Sequence, residues 1–136
     1  MKRLILGAMA FAVLAGCEQR RLPLGHPPAL SATASVQLEP AQKQRVGEVQ
    51  TVRVGATVVG AEGAQDVRME FVTPSGDLYQ QQVGTLSGSA YDSQPLQFSM
   101  PVSGTPIDNA NLSGVWHARL YVGDQLVATQ DFELKP

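Results

Sequence analysis

Cysteine and charge are scarce in this sequence and long apolar runs are missing, and each shortage excludes something. One cysteine, Cys17, in 136 residues cannot close a bridge within the chain, so no disulfide-stapled miniprotein is expected. Charged residues make up only 16%, with ten Lys and Arg against twelve Asp and Glu, a formal −2. That balance gives no general electrostatic grip on nucleic acid. The length fits one domain and excludes a multidomain enzyme.

Catalytic and metal-binding patterns are also missing. The only histidines, His26 and His117, lie far apart in sequence and have no second thiolate to complete a zinc site. No H-E-x-x-H, no G-x-S-x-G and no G-x-x-x-x-G-K-[ST] occurs, and Gly84-Thr85-Leu86-Ser87-Gly88 has the wrong spacing for a nucleophile elbow. Glu48, Glu70, Asp77, Asp92, Asp124 and Asp131 are scattered over separate segments, so nothing in the sequence draws two carboxylates into one dry pocket. The chain therefore reads as a non-enzyme with no cofactor and no metal. Asp108-Asn109-Ala110-Asn111 is the nearest thing to a metal loop. It reads as a turn whose side chains hydrogen-bond their own backbone, with calcium ligation as the alternative.

The N-terminus is informative. Lys2 and Arg3 precede an uncharged stretch over residues 4–14. As a helix that stretch is roughly 16 Å long, about half a bilayer core, which fits an export signal and not a membrane span. Leu14-Ala15-Gly16-Cys17 follows at once and resembles the bacterial lipoprotein lipobox. The resemblance implies removal of residues 1–16 and acylation of Cys17 as the mature N-terminus. The membrane is then a partner through lipid alone, in a bacterial cell envelope. Glu18 stands where an Asp would favour inner-membrane retention, so the outer membrane is the expected address, periplasmic or surface-facing. Loss of Lys2 and Arg3 leaves eight basic side chains against twelve acidic ones, a formal −4. Arg20 and Arg21 lie close enough to the acylated residue to meet anionic head groups.

Residues 17–34 contain Pro23, Pro27 and Pro28 and lack a strong period, so they are expected to form a flexible tether. From residue 35 onward the hydrophobic period is two. Val52, Val54, Ala56 and Val58 alternate with polar or small residues, as do Val67, Met69 and Phe71, then Leu96, Phe98, Met100 and Val102, then Trp116, Ala118, Leu120 and Val122. Such alternation buries one face of each strand. Thr73-Pro74-Ser75-Gly76 places Pro and Gly as a type I turn prefers, Gly60 and Gly63 separate two strands, and Gly123-Asp124 marks a hairpin. In that last hairpin an odd loop over 123–125 sets Trp116 opposite Phe132, as does a two-residue loop followed by a bulge; Gln130 is left as an inward misfit that a bulge would relieve.

About seven strands in residues 35–136 predict an all-β, antiparallel sandwich. The run Gly114-Val115-Trp116-His117-Ala118-Arg119-Leu120-Tyr121-Val122 with Leu126-Val127-Ala128 and Phe132-Glu133-Leu134 resembles the last hairpin of bacterial immunoglobulin-like domains. Phe71-Val72-Thr73-Pro74-Ser75-Gly76 resembles their middle hairpin. The resemblance implies an immunoglobulin-like or fibronectin-type-III-like sandwich. Two features are expected to serve a protein partner: the outward set His117, Arg119 and Tyr121, and a polar strand Leu78-Tyr79-Gln80-Gln81-Gln82-Val83 at a sheet edge, with Tyr79 among its candidates. The expected role is a lipid-anchored, non-catalytic module for protein–protein interaction or envelope assembly. Binding of carbohydrate or a cell-wall polymer is the alternative, with tyrosines as its contacts.

Overall fold

The computed structural model describes residues 26–136. The lipobox, Cys17, Arg20 and Arg21 lie outside the described residues. Among the described residues, seven strands form two antiparallel sheets: β1 (Ser31–Glu39), β2 (Thr51–Val59), β3 (Gln65–Val72), β4 (Leu78–Leu86), β5 (Gln94–Pro101), β6 (Gly114–Val122) and β7 (Gln125–Leu134), with one short helix, α1 (Pro106–Asn109). One sheet has the order β1-β2-β5 and the other β4-β3-β6-β7. A constant-type immunoglobulin sandwich places its fourth strand beside its fifth. Here the fourth strand instead flanks the third. The expected all-β sandwich of seven strands is what the chain forms.

The period of two explains the packing. Val52, Val54, Ala56 and Val58 of β2, Val67, Met69 and Phe71 of β3, and Trp116, Ala118, Leu120 and Val122 of β6 are all buried, because alternate side chains point to the space between the sheets. Val102 and Ile107 add to this core from the connection after β5. Trp116 is the largest fully buried side chain; its ring lies 6.2 Å from that of Phe132, and its Nε1 donates to Leu112 O at 2.9 Å. That bond satisfies a donor that would be costly to bury unpaired.

The folded unit begins before the boundary expected at residue 35. Ser31 to Ala34, read in the sequence as the end of the tether, open β1 and pair with Val59 to Ala56 of β2. Ala32, Ala34, Val36 and Leu38 pack against the core while Ser31, Thr33, Ser35 and Gln37 face outward, so the alternation was present but written in side chains too small to register as apolar. The turn after β3 follows its sequence: Gly76 N donates to Thr73 O at 2.9 Å, and Thr73 Oγ1 accepts from Asp77 N at 3.1 Å.

The last hairpin takes the second of the two expected forms. Val122 pairs with Gln125 across a two-residue loop, and the register slips between Leu120 and Tyr121. Val127 is the extra residue, and the slip restores Leu120 to Ala128 and Trp116 to Phe132. The bulge does not fall at Gln130, which stays half-buried opposite Ala118 with its Nε2 donating to Asp131 O at 3.3 Å.

The chain joins the sandwich at one defined end. Gly60 has φ of +85°, and a Cβ there would lie 2.4 Å from Ala29 O, so only glycine lets the incoming segment pass. The same end carries loop 87–93: Gly60 N donates to Ala90 O, and Ala90 N donates to Glu62 Oε1 at 2.9 Å. Gln94 completes this clamp, accepting from Gly88 N at 2.9 Å and donating to Ala61 O at 3.1 Å.

Candidate functional site

Strand pairing gathers polar and aromatic side chains on the outer face of the four-stranded sheet. β6 contributes His117, Arg119 and Tyr121, each half-buried and each alternating with a core residue. Across the β3–β6 pair, Arg68 stands opposite Tyr121, Glu70 opposite Arg119, and Val72 opposite His117. Across β6–β7, Leu126 faces Tyr121, Thr129 faces Arg119, and Asp131 faces His117. Val83 of β4 extends the first row beyond Arg68. That row thus runs Val83, Arg68, Tyr121, Leu126, with its two ends 73% and 48% exposed.

Three contacts order this face. The Arg68 guanidinium lies 4.3 Å from the centre of the Tyr121 ring, a cation–π arrangement, while its Nε donates to Glu70 Oε2 at 3.0 Å. His117 Nδ1 and Asp131 Oδ1 are 2.7 Å apart, a hydrogen bond in which the imidazole N–H donates. Arg119 makes no ion pair among the described residues and offers its donors outward. The result is a face that pairs a held aromatic with two guanidinium groups, a combination favoured in protein interfaces.

Of the four residues expected to meet a partner, three are brought together and one is not. Tyr79 is half-buried, with its ring edge-on to Trp116 at 5.5 Å. The reason is a bulge: Phe71 pairs with Gln80 and Val72 with Leu78, leaving Tyr79 as the extra residue on β4. A bulge re-aims its side chain, and here it turns the tyrosine into the core. Arg68 was not foreseen, because its place beside Tyr121 depends on pairing two strands far apart in the chain. The polar strand itself lies where expected, at the edge of its sheet.

The segment 108–111 does structural work. Thr105 caps α1 by accepting from Ile107 N at 3.3 Å, Pro106 occupies the first turn, and Asp108 Oδ2 accepts from Gly104 N at 3.1 Å. Ile107, fully buried, plugs the core from this helix. Among the described residues no three His, Cys, Asp or Glu side chains group as a metal site would require. Beside the candidate face, Asp66, Arg68, Gln81, Val83, Thr85 and Gly123 line an open depression of about 470 Å³. No helix among the described residues is long and apolar enough to cross a membrane.

No family model and no curated protein matches this sequence. Among solved structures, the chain is similar to an alkylpurine DNA glycosylase of Pseudomonas fluorescens, solved bound to DNA containing an abasic site analog, at 15% identity and a TM-score of 0.48. The match covers 78% of this chain and 31% of that one.

Proposed function

We propose that this chain is a lipid-anchored, non-catalytic cell-envelope protein whose sandwich presents the outer face of its four-stranded sheet to a protein partner. The observation that carries the partner half is the Val83–Arg68–Tyr121–Leu126 row, flanked by Arg119 and His117. Exposed apolar ends around a held aromatic, beside a guanidinium that makes no ion pair among the described residues, suit a polypeptide surface better than a small solute. The anchor half rests on Leu14-Ala15-Gly16-Cys17 behind a short apolar stretch. Acylation at Cys17 by several chains would give stable attachment to the outer membrane.

Geometry adds an orientation to this reading. With β1 opening at Ser31, residues 18–30 alone separate the anchor from the sandwich, a reach of at most about 45 Å fully extended. The loops at the joining end, 60–64, 87–93 and 123–124, carry Glu62, Asp92 and Asp124 and no Lys or Arg. Anionic head groups would repel that end, leaving the basic Arg20 and Arg21 next to the anchor to meet them. Carbohydrate binding loses support, because Tyr79 turns inward, edge-on to Trp116, while Tyr91 and Tyr121 sit on a loop and a sheet face respectively.

The test is photo-crosslinking in intact cells with p-benzoylphenylalanine in place of Tyr121, and in place of Thr57, which is exposed on the opposite sheet. A discrete adduct from position 121 and none from 57 is the expected result. No adduct at 121, or the same adducts from both positions, would overturn the reading.

A further inference from the structure

Each sheet of an open sandwich ends in two edge strands, whose outward N–H and C=O groups template another strand unless something blocks them. Three of the four edges here are managed. β5 carries Pro95 and Pro101, which cannot donate. β7 is bulged at Val127 and bears Asp131 and Glu133. β1 and β7 also run beside one another, closing that side of the sandwich.

β4 is the exception: its bulge, at Tyr79, lies at the start of the strand, and no proline, charge or neighbouring strand protects the rest. Beyond the bulge at Tyr79, residues 80–86 pair regularly with β3 and leave their other side open. The strand Leu78–Leu86 contains no charged residue and no proline. At its centre Val83 is 73% exposed, the most exposed large apolar side chain described. Gln82, on the inward side, donates from Nε2 to Ser99 O at 2.7 Å and so links β4 to β5 across the open side of the sandwich.

We infer that β4 is a self-pairing edge: two copies of this chain associate by antiparallel addition of β4 to β4 about a two-fold axis at Val83. This goes beyond the proposed partner face, which stays open in such a pair. In that register Val83 meets its own copy and Gln81 lies opposite Thr85 on the outer surface. On the inner surface Gln82 lies opposite Gly84, so the long side chain meets the position that has none. No like charges are set opposite one another anywhere along the strand, which is what self-pairing requires. The Arg68–Tyr121 row then continues without interruption across both copies. A two-fold contact of this kind is closed, so it yields dimers and not fibres.

Pairing has a consequence for anchoring. Antiparallel addition sends the two Ser31 ends to opposite ends of the dimer. Both anchors reach one membrane when the strands lie along its plane, which the extended reach of residues 18–30, at most about 45 Å, allows.

The test uses the detergent-solubilised full chain. Sedimentation equilibrium of the wild type is expected to show a reversible monomer–dimer equilibrium, weakened at least about tenfold by Val83→Lys, which sets like charges opposite each other at the axis. Mild oxidation of Val83→Cys is expected to give a disulfide-linked dimer, whereas Thr57→Cys stays monomeric. Val83 and Thr57 are both exposed, so melting curves recorded at concentrations too low for the dimer to form, and matching wild type there, will confirm that every variant is folded. A wild type that stays monomeric up to its solubility limit, or equal crosslinking from positions 83 and 57, would overturn self-pairing. Oxidation of the wild type separates this from the anchor: a dimer there exposes a free Cys17 thiol and contradicts acylation, whatever β4 does.

Discussion

Trp116 sits where three kinds of contact converge. Phe132 stacks on it, Tyr79 meets it edge-on, and Leu112 O accepts its only donor. Tyr79 belongs to this group and not to the exposed face, and the two roles differ in what its loss does. Tyr79→Ala removes a T-shaped aromatic pair worth about 0.5–1.5 kcal/mol beyond the burial it also forfeits. The expected outcome is a lower unfolding midpoint and a red-shifted Trp116 emission, read by chemical denaturation followed by fluorescence. A tyrosine held in reserve for a partner would leave both unchanged. The inward turn was illegible in the sequence because it depends on one extra residue in β4, and nothing in Leu78-Tyr79-Gln80 announces a bulge.

Between elements, side chains at the joining end do what a longer hydrophobic strand would do elsewhere. Gln94 ties loop 87–93 to the β2–β3 connection through Gly88 N and Ala61 O, with Glu62 reinforcing it at Ala90 N. Gln94→Ala strands a backbone donor and an acceptor, a cost of about 1–3 kcal/mol if they stay dry. Hydrogen exchange should then accelerate at Gly88 and Ala90 while the amides of β2 and β6 keep their protection, since the core strands do not depend on the clamp. Uniform acceleration through both sheets would contradict that local role. The strands themselves were legible wherever Val, Met, Phe and Leu alternate with polar residues, as in β2 and β3. They were less so in β1, where Ala32 and Ala34 do the packing. The β6–β7 register was legible down to two loop choices, since burying Trp116 with Phe132 admits only those. The four-residue α1 is too short to show a period, and its signal is confined to Thr105-Pro106, a capping residue followed by a first-turn proline.

At the scale of the whole molecule, the proposed function divides labour among an anchor, a sandwich and a sheet face. The seven-strand architecture follows from the period of two, but the candidate face does not. His117, Arg119 and Tyr121 could be read as one stripe because they share a strand, whereas Arg68 and Leu126 reach Tyr121 only through pairing across the sheet. Everything proposed for the chain in its cell depends on attachment near one end of this sandwich, with the face held a short distance from the membrane. Fractionation of cells expressing wild type and Cys17→Ala, with intact mass of the membrane-bound species, addresses that dependence most directly. Anchoring predicts a wild-type chain that begins at Cys17, carries added acyl mass and sediments with outer membranes, and a variant that is lost from them. A Cys17→Ala chain that stays with the membrane as strongly as wild type would contradict it.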